Sequence, residues 1–178
     1  MKARLTLVIL PLAVFITAAA IAAGNEKAPS KLRELDYLGG DWQCKGTAFA
    51  FGDQPKHAVV ATVKGAWILN GMWLDMHYNE TKTKANPHPF DVRGFFGYDP
   101  EKKKLVLGSL ENDGGYSTES SSGWEGDSIV FTGPNHMGGM TANGKDTWTK
   151  ISKTKLTYSF EIEDKGAWTK LIEETCTR

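Results

Sequence analysis

From residue 41 onward, apolar and polar residues alternate in short runs separated by turn signals, a period of two that predicts antiparallel strands rather than helices. Ten strands are predicted, over residues 41–51, 57–68, 72–80, 90–98, 105–110, 116–122, 128–132, 141–151, 155–163 and 167–177. The alternation is cleanest in the ninth. There Leu156, Tyr158, Phe160 and Ile162 share one face, and Thr157, Ser159, Glu161 and Glu163 share the other. In the third strand Leu74, Met76 and Tyr78 form the apolar set, opposite Asp75, His77 and Asn79. Val59, Ala61, Val63 and Trp67 do the same in the second, and Phe90, Val92, Phe96 and Tyr98 in the fourth. Asn70-Gly71, Asp99-Pro100 and Asp164-Lys165-Gly166 supply tight turns. Residues 133–139 are rich in glycine and predict a loop, placed to act as a lid over one mouth.

A short helix is predicted over residues 31–37. Ser30 is its expected N-cap, Leu32 and Leu35 give it one apolar side, and Gly39-Gly40 ends it. No helical pattern interrupts the strands that follow, and most connections are short. The predicted fold class is therefore all-β: an antiparallel up-and-down β-barrel of about ten strands with a short N-terminal helix at one end. A two-sheet sandwich is the alternative, but only residues 81–89 and 133–139 offer the long crossovers it needs.

Residues 1–23 read as a signal peptide. Lys2 and Arg4 form the charged start, residues 5–18 the apolar stretch, and Ala20-Ile21-Ala22 the cleavage signature. A retained anchor is the rival reading, against which the stretch is short for a membrane span. The expected division is signal peptide over residues 1–23, lead-in and helix over 24–38, and one barrel over 39–178. The expected localisation is periplasmic or secreted, with no membrane span after cleavage.

The chain has two cysteines, Cys44 and Cys176. Two thiols in an oxidising compartment pair, which predicts a disulfide between the first and last strands and hence a closed sheet. Trp42 and Cys44 share a face of the first strand. Trp168, Lys170, Ile172, Glu174 and Cys176 share a face of the last. An inward bridge would carry Lys170 and Glu174 into the barrel, where an unpaired charge is costly, with Arg93 as the nearest chemical match for Glu174. An outward bridge leaves both as surface residues, and this is the expected placement.

Charge narrows the partners. Basic and acidic residues balance at 21 each, and without Lys2 and Arg4 the formal net is −2. That argues against nucleic acid or an anionic membrane surface, both of which select a basic face. The one basic run, Lys102-Lys103-Lys104, falls in a predicted hairpin turn. Six tryptophans and nineteen glycines suit a turn-rich barrel with a few large core or cavity-lining rings.

No hydrolase, phosphate-loop or cofactor motif is present, and no catalytic or metal site is assigned. His57, His77, His88 and His136 lack zinc-site spacing. His136, Met137 and Met140 are the one set suited to a soft metal such as Cu(I), against the simpler reading of a glycine-rich loop with incidental methionines. Asp75 and His77 share a strand face, a spacing common by chance. An enzyme acting at the barrel mouth through His77 with Asp75 or Glu174 is an alternative reading.

Five blocks carry a resemblance: Leu35-x-x-Leu38-Gly39-Gly40-Asp41-Trp42-x-Cys44-x-Gly46; Trp67-Ile68-Leu69-Asn70-Gly71-x-Trp73-Leu74-x-Met76-His77-Tyr78; Gly94-x-x-Gly97-Tyr98-Asp99; Gly123-Trp124-Glu125-Gly126-Asp127; and Glu173-Glu174-Thr175-Cys176. Together they resemble a family of bacterial secreted proteins known as domain of unknown function 1579. The family is similar to calycins, which implies a lipocalin-like barrel and a small apolar or amphipathic ligand. The Leu-x-Gly-x-Trp opening is also similar to that of haem-binding nitrobindins, which hold haem through a histidine near the chain's end. No histidine follows His136 here, so the resemblance carries no haem ligand.

The expected function is that of an exported lipocalin-like protein with a small hydrophobic or amphipathic ligand as its partner, held inside the barrel without a cofactor. Trp42, Trp67, Met76, Tyr78, Phe96, Tyr98, Tyr158 and Phe160 are the expected lining, with Arg93, Lys170 and Glu174 as polar anchors. A filled barrel serving as an envelope interaction module is the remaining alternative. Ligand identity and oligomeric state lie outside the reach of the sequence.

Overall fold

The chain is described by a computed structural model over residues 27–178. The expected signal peptide lies outside the described residues. Eleven strands follow a short helix: β1 (Gly40–Ala48), β2 (His57–Ile68), β3 (Trp73–Glu80), β4 (Asp91–Asp99), β5 (Lys104–Glu111), β6 (Tyr116–Ser121), β7 (Trp124–Glu125), β8 (Ser128–Met137), β9 (Met140–Ser152), β10 (Lys155–Asp164) and β11 (Ala167–Thr177). Each long strand pairs antiparallel with its sequence neighbours, β1 pairs with β11, and β6 pairs with β8. The result is a closed up-and-down barrel of ten strands, the lipocalin-like architecture the pattern predicts. β7 is a two-residue addition on the edge of β8.

The seam between β1 and β11 holds the disulfide. Cys44 and Cys176 stand directly opposite each other in the register and are bonded across it. The bridge spans 132 residues. Closing so long a loop in the unfolded chain stabilises the fold by about 5 kcal/mol in the chain-entropy treatment. The expected outward placement is corrected: Cys44 and Cys176 are 1% and 3% exposed and belong to the core. Trp42 and Cys44 face inward together, so Glu174, in phase with Cys176, faces inward too.

A β-bulge explains why Lys170 does not follow Glu174. Phe160 pairs with Ile172, but Glu161 pairs with Lys170, which leaves Leu171 as an extra residue in β11. One added residue flips every side chain before it to the other face. Trp168 and Lys170 therefore point outward, and the Lys170 ammonium meets Glu173 at 3.0 Å. Leu171 uses its carbonyl to accept the Phe49 N–H at 2.8 Å.

One end of the barrel is sealed. Ser30–Leu38 is a 3-10 helix, and its three-residue turn places Leu32, Leu35 and Leu38 on one side. All three are at most 1% exposed. The predicted Ser30 cap is corrected: the helix begins at Ser30, Pro29 holds the cap position, and no side chain caps it. Polar contacts around the seal are numerous. The Trp124 indole donates to the Glu34 carbonyl at 2.7 Å, and Trp42 to that of Leu38 at 3.2 Å. Arg178 stacks 4.2 Å from the Trp42 ring and donates to the Gly39 carbonyl at 2.8 Å.

Residues 133–139 are not a lid. β8 continues to Met137, paired with β9 down to Met137 and Met140 and with β6 at Asn135 and His136. Only Gly138 and Gly139 form the turn, both with positive φ. Glycine at 133 serves the strand pairing itself, because a Cβ there would collide with the Thr118 carbonyl of β6.

Replacing Cys44 and Cys176 by serine is expected to lower the unfolding free energy by about 2–5 kcal/mol. Urea denaturation of oxidised wild type against the variant measures it. Equal midpoints would show that the seam closes without the bridge.

Candidate functional site

The barrel interior divides into two halves. At the helix-sealed end, Leu74, Leu105, Ile129 and Phe131 are entirely buried, and Trp42 and Phe96 nearly so. Phe96, Phe131 and Trp148 meet edge-to-face with ring centroids 5.4–5.9 Å apart and form a floor across the middle. Above that floor the packing changes. Met76, Tyr78, Val92, Tyr158, Phe160 and Ile172 point inward by register, yet each keeps solvent-accessible surface. Small residues, Gly46, Ala48, Gly94, Ala142 and Gly144, share that half. This less completely buried half, at the end away from the helix, is the chamber of the barrel. Two depressions are open to the surface, one at Tyr37 with Lys150 and one across Trp73, Phe95 and Val106 that reaches Glu119 and Gly133 where β6 meets β8.

The chamber is acidic. Glu80 ends β3, Glu111 ends β5, Glu119 lies in β6, Asp146 in β9 and Glu174 in β11, and all five face inward. Glu80, Glu119, Asp146 and Glu174 are between 3% and 8% exposed, and no lysine or arginine among the described residues is buried with them. Glu80 is well held: its carboxylate accepts from the Asn86 amide at 2.7 Å and the Phe90 N–H at 2.9 Å, which ties the loop after β3 to the rim.

The other carboxyls share protons. The Tyr78 hydroxyl lies 3.1 Å from Glu80 and 3.3 Å from Glu174. One hydroxyl has one proton, so serving both requires a further proton on a carboxyl. Burial, opposed by the Tyr78 hydrogen bond, leaves Glu174 at about 7, and it is the acid that holds that proton. Burial, then the charges of Asp113 and Asp146, pushes Glu111 to about 7. Glu119 is raised further, by burial first and the neighbouring Asp146 second. Its proton is shared with Asp146, itself raised by burial. Tyr158 donates to Asp146 at 2.6 Å, and burial raises both tyrosines above their ordinary range.

The structure splits the expected lining. Met76, Tyr78, Tyr158, Phe160 and Glu174 line the chamber. Trp42 and Phe96 fill the sealed half, and Tyr98 packs against that same core. Trp67 is half-buried at that end under the Arg33 guanidinium, 4.2 Å away. Arg93 is corrected: it faces outward and pairs with Asp75 at 2.8 Å, so it cannot neutralise Glu174. Lys170 is outside as described above. The proposed pairing of His77 with Asp75 does not form either, because His77 bonds Asp91 at 2.8 Å on the outer face. His136 stacks on Tyr116 and contacts Thr141, not the methionines. Cys44, Glu174 and Cys176 converge closely enough to suggest a metal, but both sulfurs are spent in the disulfide.

Sequence reasoning missed Glu80, Glu111, Glu119, Asp146 and Asn135. A signal existed for three. Glu80 is in phase with Leu74, Met76 and Tyr78, Glu111 with Leu105 and Leu107, and Asp146 with Trp148. Carboxyls on the apolar phase mark a polar interior. Glu119 gave no such sign, since β6 reads Tyr-Ser-Thr-Glu-Ser-Ser.

The described fold is shared with a solved structure. A crystal structure of Rv2717c from M. tuberculosis superposes with a TM-score of 0.63 at 14% identity, covering 85% of this chain and 99% of that one. A redesigned beta barrel superposes at 0.44 with 13% identity, covering 82% and 95%. No curated protein sequence matches. Residues 28–178 match the family model described as protein of unknown function, DUF1579.

Raised carboxyl pKa values make stability fall with pH. Between about 4.5 and about 7 the folded state holds protons on Glu111 and Glu174 that the unfolded state has lost, so stability falls as pH rises through that range, and Glu119, raised further, extends the loss above it. Wild type is expected to be more stable at pH 5 than at pH 8, and Glu174→Gln to recover about 2 kcal/mol at pH 8 with little change at pH 5. Urea midpoints at both pH values check this. An unchanged gap in the variant would show that Glu174 titrates as an ordinary surface acid.

Proposed function

Because the chain belongs to the DUF1579 family, a family described without an activity, we propose its function from the barrel's own geometry: it is an exported protein that binds a small amphipathic molecule in the open half of its interior. The observation that carries this reading is the half-filled barrel. A folding core packs inward-facing side chains to near-complete burial. Here the sealed half does so, and the half above the aromatic floor keeps accessible rings, a methionine and carboxyls around small residues. An apolar wall with a few convergent polar groups is the make-up of a small-molecule site.

Export is supported by the buried disulfide, which needs an oxidising compartment to form and persist. Among the described residues no helix is long and apolar enough to cross a membrane. The signal-like residues 1–23 agree with the same route.

Uptake of the neutral probe N-phenyl-1-naphthylamine tests the reading. Wild type is expected to bind it with a rise in fluorescence. Ala142→Trp, which fills the chamber near the rim, is expected to weaken binding at least about tenfold. Val130→Trp on the outer face is expected to bind as wild type does. No uptake, together with no small molecule released on organic extraction of the purified protein, would contradict it in favour of a filled interaction module.

A further inference from the structure

We propose a second binding site, on the outer wall of the barrel across β4, β5 and β6, for an amphipathic anion: a carboxylate held at Lys102 and Lys104, with its hydrocarbon chain lying along β5 over Gly108. The site is separate from the chamber and does not depend on it. The observation that carries it is Gly108. Glycine inside a strand weakens it and calls for a reason. Every other strand glycine among the described residues has one. Gly40 has a positive φ, and a Cβ at Gly46, Gly65, Gly94, Gly97, Gly133 or Gly144 would stand 3.4 Å or less from a neighbouring atom. Gly108 has neither. Its φ is not left-handed, and a Cβ there would meet nothing nearer than the Ser117 carbonyl oxygen at 3.9 Å. No bulge interrupts the register, which runs from Phe95 through Gly108 to Thr118. What the missing side chain leaves is a bare floor, open to close approach from outside.

Leu105 and Leu107 are buried inside the barrel, so Lys104, Val106 and Gly108 follow one another on its outer face, over about 13 Å. Around them the wall forms a depression of about 770 Å³. Half-buried Trp73, Phe95 and Val106 give it an apolar side, and Thr118 and Ser120 a hydroxyl edge. Trp73 lies across Gly97, the cross-strand neighbour of Val106. Lys102 and Lys104 stand at the end near the β4–β5 turn. Lys104 pairs with no acid among the described residues. Lys102 pairs only loosely, with Asp99 at 3.7 Å, and stays 74% exposed. Neither Asp99 nor Glu101 lines the depression. Glu119 borders it, with both carboxyl oxygens free of accessible surface. An apolar trough that ends in two cations and presents no carboxylate selects a hydrocarbon chain with an anionic head.

Titration calorimetry of the purified protein at pH 7.5 with octanoate and octanol tests the proposal. Octanoate is expected to bind at least about tenfold more tightly than octanol, and Lys102→Ser with Lys104→Ser to abolish that preference. Gly108→Val is expected to weaken octanoate binding at least about tenfold, with a urea midpoint equal to or above that of wild type. Ala142→Trp, which fills the chamber, is expected to bind octanoate as wild type does. Octanoate binding equally to wild type and Gly108→Val, or lost in Ala142→Trp, would overturn the outer site and leave the chamber standing. A lowered urea midpoint in Gly108→Val would show that the glycine serves folding and remove the observation on which the site rests. Octanol binding as tightly as octanoate would overturn the anionic head, and no octanoate binding at all would overturn the site.

Discussion

The β1–β11 seam sets everything else in this molecule. Strand pairing there is antiparallel over six residue pairs, with the two cysteines bonded in its midst. Closure fixes which residues face inward, since register in a barrel leaves no free edge along which a strand can slip. Because Cys176 is inward, Glu174 two residues away is inward as well. A glycine, Gly46, stands opposite Glu174, and a Cβ in its place would collide with the backbone of β11. The close approach that the seam demands is thus written into the glycine.

From that seam the interior falls into two regimes. Toward the helix, the leucines of the 3-10 turn and the aromatic floor exclude water. Toward the open end, five carboxyls and two tyrosines occupy inward positions with no basic residue among them. Such a grouping is unfavourable for folding when ionised. The protein meets that cost by holding protons, through the Tyr78 link between Glu80 and Glu174 and through the shared proton of Glu119 and Asp146. A fold selected only for stability would place apolar residues at these sites. Acids retained there speak for a task.

Much of the fold was legible in the sequence. Period-two alternation placed ten strands, the Asn70-Gly71 turn is real, with Asn70 at φ 58°, and the cysteine positions implied closure. Three features were not legible. The bulge at Leu171 depends on how β10 and β11 twist together, and it reversed the face of Lys170. The glycine-rich stretch after Thr132 reads as loop by composition, but pairing on both edges makes it strand, and close approach to β6 is why glycine is needed there. The anchors failed for a related reason. Arg93 was matched to Glu174 by charge, although Arg93 sits out of phase with Val92 and Phe96 and must face outward. Phase was the better guide than chemical complementarity, and applied to Asp146, Glu111 and Glu80 it points to the chamber.

The central claim is that these acids are enclosed and keep protons near neutrality. Carbon-13 NMR of side-chain carboxyls, titrated from pH 4 to pH 10 with Glu119→Gln and Glu174→Gln as assignment variants, measures it directly. The account predicts that the Glu174 resonance titrates near pH 7 and that Glu119 is still protonated there. Both resonances titrating in the ordinary carboxylate range would mean that water reaches these groups freely, and the chamber described here would not exist.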